Sequence, residues 1–155
     1  MKKLLTVTLA LALALGLSAC GGKEDETVWD TGDVQALLDS GAFSEELEEL
    51  DADTAFMLYK LADYGLDREK LKEATVRRSA GATCEELAVL IFDSEDSASS
   101  ARDALEAYVQ NQIDENTDYR PAEIPKLKSA RINQREETVL FVVANDREIA
   151  QKAVE

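Results

Sequence analysis

No histidine occurs anywhere in the 155 residues. Without imidazole, Ser-His-Asp and Cys-His nucleophilic sites as usually built are excluded, as is every zinc site that needs a histidine ligand. Cysteine is nearly as scarce, with only Cys20 and Cys84. Cys20 is claimed by other chemistry, which leaves Cys84 without a partner and the chain without a disulfide framework. Glu85 and Glu86 flank Cys84 and should raise its thiol pKa, which argues against a reactive thiolate; a turn or strand-edge role is expected. Positive charge is short too: 17 basic residues face 32 acidic ones. Such a chain is a poor candidate for nucleic acid or for anionic lipid heads. The basic residues read as interspersed with acids, with no polybasic stretch; a face that is locally basic despite the total is the alternative. Seven glycines and two prolines build no Gly-rich phosphate loop behind a strand. The nine aromatic residues form no aromatic–basic platform for nucleic acid.

One long apolar run is present, at the start. Lys2 and Lys3 precede a nearly unbroken Leu- and Ala-rich stretch from Leu4 to Leu17, followed by Ser18-Ala19-Cys20-Gly21-Gly22. Basic, apolar and small-residue regions in that order are those of an export signal. The run is shorter than the roughly 20 residues that span a bilayer. Leu17-Ser18-Ala19-Cys20 resembles the lipobox of bacterial lipoproteins. That resemblance implies a diacylglyceryl group on the Cys20 sulfur, cleavage before Cys20 and further acylation, commonly palmitate. Thiolate is the side-chain nucleophile suited to such an alkylation. An ordinary signal peptide with a chance cysteine is the alternative. The expected organisation is a signal over 1–19, a lipidated cysteine and tether over 20–32, and one domain over 33–155. Two cations lie before Cys20, so the 136 residues from there carry 15 basic against 32 acidic groups, a net charge of −17.

Along the domain, Asp33, Ser44 and Asp53 each precede a short amphipathic stretch, and each is read as a helix cap. Gly41 and Gly65 end the first and third stretches. Trp29 either docks on the domain or lies near the membrane interface. Leu71 to Ser79 alternates like a half-buried strand. Leu87 to Phe92 is continuously apolar, as in a strand covered on both faces. Asp93 or Ser94 caps a long helix to about Asn116, its stripe being Ala98, Ala101, Leu105, Tyr108, Val109 and Ile113. Lys128 to Asn133 reads as a strand, Gln134-Arg135 as its tight connection, and Thr138 to Ala144 as a last apolar strand. Asp146 caps a final helix. These elements predict an α+β fold, with a four-stranded, mostly antiparallel sheet, one long helix packed on a face, short N-terminal helices and a C-terminal helix.

Little chemistry stands out. Two carboxylates alone can hydrolyse a glycosidic bond, and among 32 acids some pairs meet by chance. Asp51-Ala52-Asp53 and Asp93-Ser94-Glu95-Asp96 lack the spacing of a calcium loop and precede helices, where such residues cap backbone donors. Tyr119-Arg120-Pro121 is the one mixed aromatic, cationic and rigid cluster. It is either a partner contact or a structural turn. No catalytic residue, metal or cofactor is assigned.

Ala82-Thr83-Cys84-Glu85-Glu86-Leu87-Ala88-Val89, the long helix, Tyr119-x-Pro121 and the closing strand with its helix resemble a domain-of-unknown-function family numbered 4358. The resemblance runs from about Phe43 to Val154, but Asn133-Gln134-Arg135-Glu136 stands where the family would be expected to carry a glycine. It implies a small lipoprotein of clostridial-type Gram-positive bacteria and brings no activity. The expected role is a lipid-anchored, non-catalytic module on the outer face of the cytoplasmic membrane. It would bind an unknown ligand or envelope protein and touch the membrane through its lipid only. A carboxylate-dependent hydrolase of envelope polymers and a structural envelope component are the alternatives.

Overall fold

The computed structural model describes residues 28–155. The signal, the lipobox and Cys20 lie outside the described residues. Two apolar runs occupy the middle of the sheet: β3 (Glu86–Phe92) and β5 (Thr138–Val143) pair antiparallel, with Ala88 opposite Phe141. β2 (Leu71–Arg78) flanks β3, and β4 (Arg131–Arg135) flanks β5 as an edge. A fifth strand, β1 (Glu48–Leu50), pairs with β2. The order is β1-β2-β3-β5-β4, antiparallel throughout.

Five strands among the described residues correct the expected four. Residues 44–50 were expected to be a helix. Instead Leu47 is buried and three residues after it pair with Arg78, Arg77 and Val76. A strand this short carries no readable period; β2's open edge decides it.

Side chains alternate cleanly across β3 and β5. Ala88, Leu90, Phe92, Val139, Phe141 and Val143 face one core, beneath α2 (Ala52–Leu58) and α3 (Glu95–Asn116). Ala98, Ala101, Leu105 and Tyr108 supply the α3 stripe as expected, and Ser94 caps it. Tyr59, Tyr108 and Phe141 meet edge-to-face, with centroids 5.1–6.1 Å apart.

Leu87, Val89, Leu140 and Val142 face a second core, under α1 (Thr31–Asp39) and α5 (Arg147–Lys152). Helices therefore cover both faces. α1 is capped by Asp30 rather than Asp33, and Gly41 beyond its end takes φ +80°, as an L side chain would resist. Trp29 is fully buried in this second core. Its backbone N–H donates to Thr138 Oγ1 at 2.8 Å and its indole N–H to the Asn133 carbonyl at 2.9 Å. The Arg135 guanidinium lies 3.5 Å from the ring centroid, a cation–π contact. Trp29 thus docks on the domain, so ordered structure starts before Asp33.

Other boundaries move by a few residues. Asp51, not Asp53, caps α2, and the third stretch breaks into α2 and a 3₁₀ turn, Leu61–Tyr64. Ile124–Lys128 forms a helical turn, α4, so β4 begins at Arg131. The β4–β5 connection is Glu136-Glu137, with Glu136 left-handed at φ +49° where glycine is favoured. Among the described residues no helix is long and apolar enough to cross a membrane.

Candidate functional site

Arg120 spends its guanidinium inside the domain. Nε donates to Asn116 Oδ1 at 2.7 Å, and Nη1 donates to the Gly81 carbonyl at 3.0 Å and the Thr83 carbonyl at 3.3 Å. Pro121 opens a 3₁₀ turn, Pro121–Glu123, a position that needs no N–H. Of the cluster Tyr119-Arg120-Pro121, Tyr119 alone presents a large aromatic face, 82 % exposed. Arg120 ties the end of α3 to the loop before β3.

That loop leads into two consecutive buried acids, Glu85 at 1 % and Glu86 at 3 % exposure. Glu85 accepts from the Ser44 N–H at 2.8 Å, from the Ser44 hydroxyl and from Lys126 Nζ at 2.7 Å. Lys126 also lies 3.3 Å from Glu123, whose other oxygen accepts the Cys84 N–H. Burial alone depresses the Lys126 ammonium, but its bonds and charge contacts to Glu85 and Glu123 outweigh this and raise its pKa. Glu86 accepts from the Tyr59 hydroxyl at 2.6 Å and the Tyr108 hydroxyl at 2.9 Å, with Arg78 Nε at 3.9 Å. Burial pushes the Glu86 carboxyl up against the pull of these partners. Burial, with the Glu86 charge, also pushes both tyrosines up, so they stay protonated donors.

Both acids border a cavity of about 40 Å³ together with Cys84. That is room for a water, not for a sugar ring. The two carboxyls use separate sets of partners. Cys84 is half-buried, and its thiol pKa is raised as expected. The main cause is burial, and Glu123, not the adjoining Glu85 or Glu86, is the acid that adds to it. The acidic strings behave as caps: Asp51 accepts from the Asp53 and Thr54 N–H groups, and Ser94 from Ser97.

A larger opening lies beside β4. It measures about 430 Å³, between the α4–β4 corner and α5. Val142, Ala144, Ala150 and Val154 provide an apolar lining, because α5 crosses this end of the sheet on small side chains. Lys128, Arg131 and Arg147 supply charge, and among the described residues no Asp or Glu borders it. Among the described residues none of the three cations pairs with a carboxylate, whereas Lys126, two residues from Lys128, pairs with two. Among the described residues Arg131 Nη1 is buried with no hydrogen-bond acceptor, as are Arg77 Nε, Arg78 Nε and Arg102 Nε elsewhere; the Arg131 guanidinium is 5.9 Å from the Trp29 ring centroid.

The sequence did carry a signal for this basic corner, and it was missed. From Ile124 to Arg135 there are four cations, Lys126, Lys128, Arg131 and Arg135, and no acid. The reading of the basic residues as interspersed with acids is therefore corrected over this segment, in favour of its alternative, a locally basic face. Arg147 gave no such signal, lying between Asp146 and Glu148.

Fold and openings together define an α+β domain, its antiparallel sheet covered on both faces and a cation-lined groove at one corner. The chain belongs to the family described as Domain of unknown function (DUF4358), whose model matches residues 44–144. The match takes in Lys128, Arg131 and Val142 but stops short of α5, so one groove wall lies inside it and the other beyond. No curated protein and no solved structure matches the chain.

Proposed function

We propose that this protein is a lipid-anchored, non-catalytic binding module of the bacterial cell envelope. It is held by acylated Cys20 at the outer face of the cytoplasmic membrane, with the groove between β4 and α5 as its ligand site. The observation that carries the reading is the groove itself. Ligand sites typically measure roughly 300–1,000 Å³ and combine apolar walls with a few placed polar groups. This one has that size and composition. Among the described residues its lining includes neither a carboxylate nor a cysteine, and its one hydroxyl, on Ser129, donates to the Lys126 carbonyl at 2.9 Å, which supports binding over catalysis.

A hydrolase using two carboxylates has less support. The buried pair Glu85 and Glu86 is occupied by internal donors and borders only the small cavity. A wholly structural role leaves the unpaired cations without an explanation. No partner protein is assigned; Tyr119 remains the exposed candidate contact.

Three measurements test the proposal. Cys20→Ala should abolish incorporation of labelled fatty acid and release the protein from membranes in a high-salt wash; normal maturation of that variant would remove the anchor. Amide-shift mapping of the full chain against fractionated envelope small molecules should give saturable shifts at residues 128–132 and 142–154. Turnover of a glycan, peptide or ester, lost with one Asp or Glu substitution while the fold is kept, would overturn the non-catalytic reading.

A further inference from the structure

The groove's charge is opposite to that of the protein. The whole chain is −15, yet Lys128, Arg131 and Arg147 border one opening with no acid among the described residues that line it. Cations gathered without counter-charge repel one another, and a fold gains nothing from the arrangement unless something neutralises it. Lys126 shows the alternative on the same helical turn, because it is paired to Glu85 and Glu123. Glu155, just beyond α5, accepts from Gln151 rather than pairing with a groove cation.

Arg131 narrows the chemistry of the neutralising group. It borders the groove, its guanidinium 5.9 Å from the Trp29 ring centroid. Its Nη1 has no hydrogen-bond partner among the described residues, but neither do Arg77 Nε, Arg78 Nε and Arg102 Nε elsewhere, so it is the gathering of three cations at one opening that calls for an anion. Guanidinium forks suit carboxylate and phosphate oxygens.

The remaining lining describes the rest of the ligand. Val142, Ala144, Ala150 and Val154 are each only slightly exposed, at 4–8 %. They border the groove too, and an inorganic ion would leave them without a partner.

Resting on the reading of the groove as a ligand site, we infer that it binds an amphipathic anion. A phosphate or carboxylate head lies among Lys128, Arg131 and Arg147, and an apolar chain or ring lies along α5. A membrane lipid and a free amphiphile share this chemistry.

The test is calorimetric titration of the full chain in zwitterionic nanodiscs with hexyl phosphate, inorganic phosphate, hexanol and hexylammonium. Hexyl phosphate should bind about tenfold or more tightly than inorganic phosphate or hexanol, and hexylammonium should not bind. Lys128→Glu and Arg147→Glu change exposed residues, and an acid is welcome in the first turn of α5, so both should fold. Each should weaken hexyl phosphate binding about tenfold. Arg131→Gln should do at least as much, while Arg102→Gln on α3 should change nothing. Nanodiscs doped with phosphatidic acid distinguish the sources: competition with hexyl phosphate points to a lipid head, and no competition to a free amphiphile.

Hexanol binding as tightly as hexyl phosphate would overturn the anion while leaving the groove a binding site. Inorganic phosphate matching the ester would overturn the apolar half. Binding unchanged by both charge reversals would place the ligand elsewhere and overturn the inference. If no probe binds, the anion is wrong, and the binding-module reading then stands or falls on the amide-shift mapping.

Discussion

One turn of helix, α4, serves two regions that differ in a single respect. Lys126 points into the buried network and meets Glu85 and Glu123, and the other buried acid nearby, Glu86, holds two tyrosine hydroxyls. Lys128 borders the groove with Arg131 and Arg147, where no carboxylate among the described residues answers them. In the first region both buried carboxylates are met by the protein's own donors, although Arg78 Nε, 3.9 Å from Glu86, makes no hydrogen bond. In the second, no carboxylate among the described residues borders the cations. Lys128 and Arg147 are exposed to water, so it is the gathering of like charges around one opening, and not a missing hydrogen bond, that calls for an anion. The acids, which dominate the sequence, thus give way to the few cations as the more informative residues.

The largest expected effect breaks the balanced side. Lys126→Met leaves Glu85 in the interior with only Ser44 donating to it, and losing one partner of a buried pair costs roughly 3–5 kcal/mol. Lys126 keeps some exposure, so a loss near about 3 kcal/mol is expected by urea denaturation. Lys128→Met, two residues on, should stay within about 0.5 kcal/mol of the parent. Equal losses would erase the contrast.

A change of pH dependence comes next. Burial raises the Glu86 carboxyl, so the folded state holds that proton more firmly than the unfolded chain. The associated stability is fully present below about 4.3, the unfolded value, and is lost as pH rises through the folded value. Glu86→Gln removes that loss. The variant's urea midpoint, relative to the parent, should therefore improve as pH rises from acid to neutral. Asp51, Asp93 and Glu45 are shifted down and act in the opposite sense, but they are common to both proteins and cancel. A constant difference across pH would contradict the assignment.

Smaller effects sharpen the groove side. Glu136 occupies a left-handed turn position in the hairpin that carries Arg131. Glu136→Gly should stabilise by about 1 kcal/mol, the strain of a left-handed L residue being roughly 1–2 kcal/mol less the glycine's greater unfolded freedom. A loss of stability would mean that the Glu136 side chain supports the turn. Smallest of all, Arg147→Glu should raise the stability of the ligand-free protein by about 0.5 kcal/mol. It removes one of three clustered cations and places an acid in the first turn of α5. A destabilised variant would show that Arg147 already has a partner.

Some elements were legible because their pattern is local. β3 and β5 show continuous apolar runs, α3 shows a three- and four-residue stripe behind Ser94, and α5 shows Asp146 as its cap. Backbone periodicity and capping act within a few residues, so sequence order alone settles them. The candidate site was half legible. The acid-free stretch from Ile124 to Arg135 could have marked one wall of the groove, and nothing marked Arg147 as its counterpart. Tertiary structure alone decided that three residues at 48–50 complete the sheet, that Trp29 docks under Arg135, and that helices cover both faces. It also decided which lysine of α4 is neutralised. Pairing a strand edge, filling a face or cancelling a charge depends on what arrives from elsewhere in the chain. Lys126 and Lys128 look alike in the sequence; the fold brings Glu85 to one and leaves the other at an open groove.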